Sequence, residues 1–328
     1  MAVKAAAVKA LGSELSAISA AVDKLGPNAS YAAVENLIKS DAAFSATIDK
    51  VKADDLSFVW AMIDSKPTKA PVTVAVVGAG SEAGSAALFR IAAGEMLGTD
   101  TPVVLQLAGA DSSVVSELEG CGFPLLKSVT SASSPAAAVK GAAYALLLEG
   151  DVKAAGAAAG AGALVGVVGT ANAAAVAAAT KASVTAITRP AEMAAAAALA
   201  SAQGASPLEV SNVIAWGTGV ADVSHASVGG KWALKLGSAA LPEVPAPSAA
   251  LTADAVVAHM KDWALGSDGK WVSMGVPAVG DYGMGEGFFY SVPVTCTPGE
   301  YKRVGGVTLT PEVATVMEKE RQAILGGA

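Results

Sequence analysis

Little in this sequence advertises chemistry. Of 328 residues only two are cysteine, Cys121 and Cys296, too far apart and too few for a disulfide framework, so a reducing intracellular setting is expected. Histidine is as scarce, with His225 and His259 the only copies, which leaves few groups able to exchange protons near neutral pH and no cluster that spells a metal site. Arginine occurs four times, at Arg90, Arg189, Arg303 and Arg321. With a formal charge of -7 there is no basic patch to neutralise a phosphate backbone, and nucleic acid is excluded as a partner. Aromatic residues make up 5%, and much of the 53% apolar content is alanine, which adds helix propensity more than apolar area. The mean hydropathy of +0.50 therefore overstates any membrane character. The longest uncharged stretch, residues 154–180, is broken at Gly169-Thr170-Ala171-Asn172 and reads as a short helix, a buried strand and a second helix, not a transmembrane segment. Glu14, Asp23 and Glu35 interrupt the amphipathic N-terminal stretch, so it does not read as a transit peptide or a cleavable signal.

What is present is an ordered alternation. Residues 1–70 read as a helical extension with stops at Gly26-Pro27, near Ser40 and at Ser65-Lys66-Pro67. Phe58, Trp60 and Met62, near its end, are candidate apolar anchors for protein partners. From residue 72 the pattern becomes strand and helix in turn. The run at 72–77 is continuously apolar, as a strand covered on both faces must be; 102–107 reads as a second strand, and 144–148 and 164–168 are further short apolar runs. Gly78, Gly80 and Gly84 follow the first run with the spacing of a strand-to-helix turn able to approach a phosphate; taken alone, that motif is as well explained by tight packing. Residues 71–188 are therefore read as a Rossmann-like parallel-sheet domain, shortened relative to the usual size. Residues 189–328 follow as an α+β domain with helices at 191–202, 253–264 and 311–325 and antiparallel strands at 271–276 and 288–296.

Several segments together resemble the malate dehydrogenase family of the cytosolic and chloroplast type, within the lactate/malate dehydrogenase superfamily. Leu88-Phe89-Arg90-Ile91-Ala92, Gly94-Glu95-Met96-Leu97-Gly98 and Val104-Leu105-Gln106-Leu107 are similar to its first nucleotide-binding unit. Residues 117–126, Tyr144-Ala145-Leu146-Leu147, His225-Ala226-Ser227-Val228-Gly229-Gly230-Lys231, Trp271-Val272-Ser273-Met274-Gly275-Val276 and Pro293-Val294-Thr295-Cys296 continue the likeness in order. It spans about residues 71–328 and leaves the first 70 out.

Carried over position by position, the resemblance implies a fold without its chemistry. The general base of the family falls on Gly219, within Trp216-Gly217-Thr218-Gly219-Val220, and the aspartate that orients it falls on Ala191. The three arginines that clamp a dicarboxylate fall on Lys153, Ala159 and Ala194. The aspartate that bonds the adenosine ribose falls on Gly109, a replacement also found in NADP-using chloroplast members; the neighbouring Asp111 would repel the additional phosphate. Glu149 and Asp151 stand where the family has a cofactor-contacting glycine and a basic residue, and the asparagine at the nicotinamide ribose is matched by Thr170, with Asn172 two residues on. Only residues 151–163 separate two adjacent strands, near the minimum of about a dozen for a parallel crossover, so the lid of the family is expected to be cut away. His225 and His259 match non-catalytic segments and are expected to be structural.

These readings point to a catalytically inactive, malate-dehydrogenase-like protein that serves as a structural or interaction subunit, with a homo- or heterodimer possible. No bound cofactor is expected. The alternatives are a module that retains NADP or NAD at Gly78, Gly80 and Gly84, or a residual NADP-linked oxidoreductase using Lys153. A plastid or mitochondrial location is compatible with the resemblance and is not specified by it.

Overall fold

The computed structural model describes Ser40, residues 69–233 and residues 246–326. By internal contacts the chain divides into two compact units, Met1–Thr68 and Lys69–Ala328. The expected N-terminal helices and the anchors Phe58, Trp60 and Met62 lie outside the described residues.

The second unit is built on one nine-stranded sheet. Its elements begin β1 (Val72–Val77), α1 (Glu82–Ala92), β2 (Val103–Ala108), α2 (Ser112–Gly120), β3 (Leu126–Ser131), α3 (Pro135–Val139) and β4 (Tyr144–Leu147). There follow α4 (Val152–Ala157), β5 (Leu164–Val168), α5 (Thr170–Ala177), β6 (Ser183–Ile187) and α6 (Arg189–Ala202). Short strands β7 (Val210–Ser211), β8 (Ile214–Trp216), β9 (Val220–Asp222), β10 (Ser227–Val228) and β11 (Lys231–Trp232) form two small sheets. The remainder is α7 (Ala249–Leu265), the antiparallel strands β12 (Val272–Val279), β13 (Glu286–Thr297) and β14 (Glu300–Arg303), and α8 (Pro311–Gly326).

Strand order across the large sheet is β14-β13-β12-β6-β5-β4-β1-β2-β3, with every pairing from β3 to β6 parallel. This is the α/β architecture expected from the alternating apolar runs. The reason is visible in β1: Val74 and Val76 enter one core cluster, Ala75 and Val77 the other, so the strand is buried on both faces. Leu105, Leu107, Leu146 and Leu147 are likewise without solvent exposure, and burying each leucine stabilises by roughly 1.5–3 kcal/mol. At the other end of the parallel array, β6 meets β12 through the pair Ala186↔Gly275. A β-carbon on Gly275 would lie 2.5 Å from that of Ala186, so only glycine lets the antiparallel half join there.

Reversal of the chain at β1 puts β2 on one side and β4 on the other, and the carboxyl ends of these strands therefore open a crevice, the position where open α/β sheets hold ligands. The 151–163 connection is as short as expected: the six-residue α4 spans it, and β4 and β5 still pair in register from Tyr144↔Leu164. Both cysteines are free, Cys121 exposed and Cys296 buried. Among the described residues no helix is long and apolar enough to cross a membrane, and no group of side chains could hold a metal ion.

Candidate functional site

The crevice at the head of β1 is a cavity of about 360 Å³, lined by Val77, Gly78, Gly80, Ser81, Ala108, Gly109, Pro135, Glu149 and Gly150. The turn that floors it is fixed by local chemistry. Gly78 sits at φ +84°, its amide and that of Ala79 both donate to the Ala108 carbonyl, and Ser81 caps α1 by accepting the Gly84 amide at 3.1 Å. The Ser81 hydroxyl also donates to the Gly78 carbonyl at 2.8 Å. The glycines have packing reasons of their own. A β-carbon on Gly80 would overlap the Gly109 carbonyl oxygen, and one on Gly84 would overlap the Gly78 carbonyl oxygen. A β-carbon on Gly78 would come within 2.8 Å of the Glu149 amide. Thus the motif that looks like a phosphate cradle is required by the backbone around it whether or not a phosphate enters.

A dinucleotide would find the two halves of this crevice unequal. The glycine floor and the amino-terminal end of α1 suit a pyrophosphate, since nothing projects from the floor and the first turn of a helix presents free amides. The ribose end suits it less. Gly109, at φ +82°, offers no carboxylate. Asp111 is committed to capping α2, accepting from the Ser113 hydroxyl at 2.5 Å and from the Ser113 and Val114 amides at 2.9 and 3.2 Å. These bonds, that from the Ser113 hydroxyl first, hold its carboxyl below the usual aspartate range. Glu149 lines the cavity as an exposed carboxylate, and Asp151 caps α4 through the Ala154 amide at 2.9 Å. The glycine floor fits the phosphate portion of a dinucleotide, and Gly109 supplies no carboxylate for its ribose hydroxyls.

The positions read as catalytic come together elsewhere, at the turn between β8 and β9. Gly219 and Ala191 face each other: a β-carbon on Gly219 would stand 3.5 Å from that of Ala191, an ordinary contact distance with room for a side chain. Gly219 is held at φ +134°, a conformation side chains rarely adopt. Its turn is firmly anchored, with the buried Trp216 indole donating to Asp222 at 2.9 Å and Gly217 paired through both backbone groups to Ser291. No imidazole is available to this pair of positions. His225 bonds the Thr308 carbonyl at 2.8 Å, and His259, wholly buried in α7, bonds the Thr185 hydroxyl at 2.9 Å. Burial, with the nearby Arg189 charge, pushes His259 down to about 3.

Only one of the three clamp positions, Lys153, carries a cation. Lys153 is exposed on α4, Ala159 is half-buried just beyond it, and Ala194 is buried in α6. Asn172 points its side-chain amide at the Val168 carbonyl, 3.0 Å away, beside Thr170 at the start of α5. A feature the sequence reading did not single out is a largely buried charge group at the start of α6. Arg189 pairs with Asp262 of α7 and lies 3.6 Å from Glu192, whose carboxylate also accepts the Ser273 amide at 2.7 Å. The guanidinium ends pair with both carboxylates while the buried Arg189 Nε has no partner among the described residues, so the group is held by charge pairing between α6 and α7.

Fold and crevice together define an α/β chain whose parallel strands open a ligand-sized crevice at their carboxyl ends. Residues 244–325 match the family model for the lactate/malate dehydrogenase alpha/beta C-terminal domain. Among solved structures, the malate dehydrogenase of Naegleria fowleri is similar at 29% identity over 79% of this chain and 97% of that one, with a TM-score of 0.71. The lactate dehydrogenase of Trichomonas vaginalis, in complex with NADH and oxamate, is 21% identical over 78% and 96%, with a TM-score of 0.68. The malate dehydrogenase of Cryptosporidium parvum shares the fold at 13% identity and a TM-score of 0.64. The chain carries the C-terminal domain and the architecture of the lactate/malate dehydrogenase superfamily.

Proposed function

We propose that this protein is a non-catalytic member of the dehydrogenase superfamily, kept for its fold and acting as a structural or interaction subunit of a larger assembly. One observation carries the reading. Gly219 and Ala191 are juxtaposed as a base and its orienting partner would be, and neither has a functional group. Hydride transfer to or from a hydroxy acid needs a group that takes or gives the hydroxyl proton, and glycine and alanine have none. The alanines at 159 and 194 add to this, because a dicarboxylate would meet methyl groups where it needs guanidinium forks. The N-terminal extension, with Phe58, Trp60 and Met62, is the segment best suited by sequence to meet a partner. The test is the native mass of the endogenous protein after gentle extraction, with co-migrating chains identified by mass spectrometry. A stable position far above the mass of a dimer is the expected result; a free monomer or dimer would remove the assembly part of the proposal.

A second reading is favoured by the crevice itself. The glycine floor and the volume of about 360 Å³ support retention of NAD or NADP without turnover, since similar proteins of this fold include one in complex with NADH. Titration of the full chain with NADH, followed by nicotinamide fluorescence, separates the readings. Saturable enhancement in the micromolar range would favour a nucleotide-holding module, and no enhancement up to millimolar NADH would leave the structural role alone.

A further inference from the structure

The terminal helix α8 does something the dehydrogenase reading leaves unexplained. Val313 and Met317 are buried along one stripe of it, and Glu320 continues that stripe one turn further on. The Glu320 carboxylate thereby reaches the turn after β8. One of its oxygens accepts the Thr218 amide at 3.1 Å and the other accepts the Thr218 hydroxyl. Next to them lies the hydroxyl of Tyr290, a residue only 1% exposed, and that hydroxyl has no hydrogen-bond partner among the described residues. The missing side chain of Gly217 makes the space. A β-carbon there, at φ +63°, would overlap one Glu320 oxygen and stand 2.8 Å from the Tyr290 hydroxyl. Two donors of one residue thus meet the two oxygens of one planar group, with a third donor buried alongside and no cation needed.

We propose that Gly217, Thr218 and Tyr290 form a receptor for a carboxylate, which the protein fills with its own Glu320, so that removing this side chain opens the site to a small free carboxylate such as acetate. The inference does not depend on the catalytic state of Gly219 and Ala191: it concerns the neighbouring donors of the same turn. It makes α8 a tethered plug, anchored by the buried Val313 and Met317 and by the Glu320 carboxylate, over a set of donors whose chemistry selects a flat two-oxygen acceptor.

The test is chemical rescue in the full chain. Thermal midpoints of the wild type, Glu320→Ala and the double variant Glu320→Ala with Thr218→Val are measured against acetate at constant ionic strength, with chloride as the replacement. Glu320 is partly exposed on the helix surface, so its truncation leaves the buried stripe intact. The single variant is expected to melt lower than the wild type and to regain part of the loss saturably with acetate, while the wild type does not move. Adding Thr218→Val is expected to raise the acetate concentration needed for half the effect at least several-fold. Amide exchange gives an independent readout: the Thr218 amide exchanges faster in the single variant and slows again with acetate. A single variant that responds to acetate no more than to chloride overturns the proposal. So does an equal response of the wild type, or a Thr218 amide that acetate leaves unprotected.

Discussion

The turn after β1 and the turn after β8 are both rich in glycine, for opposite reasons. At the first, Gly80 and Gly84 are jammed against backbone carbonyls of Gly109 and Gly78, so a side chain cannot enter without moving the main chain. At the second, Gly219 has ordinary clearance to Ala191 and is glycine by conformation, at φ +134°. The same contrast runs within the first turns of α6, where Arg189 and Glu192 keep a largely buried charge network while Ala191 and Ala194 are bare methyl groups. A glycine motif retained by packing is accordingly poor evidence for a ligand, whereas two small residues facing each other where a reacting pair would stand say much about function.

Arg189→Met should have the largest effect of any single change, because it strands Glu192 and Asp262 near the core without their counter-charge. A loss of about 3–5 kcal/mol is expected in urea denaturation. If it cost nothing, the network would not belong to the fold-required class. Next comes acid. The His259 pKa falls from an ordinary 6.5 when unfolded to about 3 when folded, because burial disfavours its charged form. Below pH 6.5 the unfolded chain takes up a proton that the folded chain refuses, so stability is full above that pH and declines as pH falls toward 3. The expected decline between pH 6.5 and 4.5 is about 2 kcal/mol from this group. His259→Gln, which can still bond Thr185, should flatten that portion of the stability curve.

Smaller effects separate the two turns directly. Gly84→Ala should cost about 1–3 kcal/mol through overpacking against the Gly78 carbonyl, read as a lower thermal midpoint. Gly219→Ala has space and should cost only about 1 kcal/mol, from its backbone angle. Equal losses at both would abolish the distinction between packing-held and conformation-held glycine. Lys153→Ala should change stability by less than about 0.5 kcal/mol, as for any exposed side chain with no special contact, and should leave NADH binding unaltered.

Much of the fold was legible because strands buried on both faces must be apolar throughout. Residues 72–77, 144–147 and 164–168 and the hairpin of β12 and β13 announce themselves in that way. The strands that escaped notice include the two sheet edges. In β3, Leu-Lys-Ser-Val-Thr-Ser, only Val129 is buried, and β14, Glu-Tyr-Lys-Arg, has no buried residue, so neither carries an apolar run to read. The short β6, Ser-Val-Thr-Ala-Ile, breaks its apolar residues with Thr185, which it hides in a bond to His259. At the site, the correspondence of Gly219 with Ala191 came from family likeness, and their adjacency only from the folded chain. Arg189 with Asp262, and Glu320 with Thr218, are 73 and 102 residues apart and leave no local pattern in the sequence.

The claim that the catalytic end has been emptied is most directly tested by turnover. The purified full chain is mixed with NADH or NADPH and a panel of 2-oxo acids, oxaloacetate and pyruvate included, and loss of nicotinamide absorbance is followed for hours at high protein concentration. No oxidation above the protein-free rate is expected with any pair. Saturable turnover that scales with protein concentration would contradict it, and would require a proton-transferring group other than those a base at Gly219 and a partner at Ala191 could have supplied.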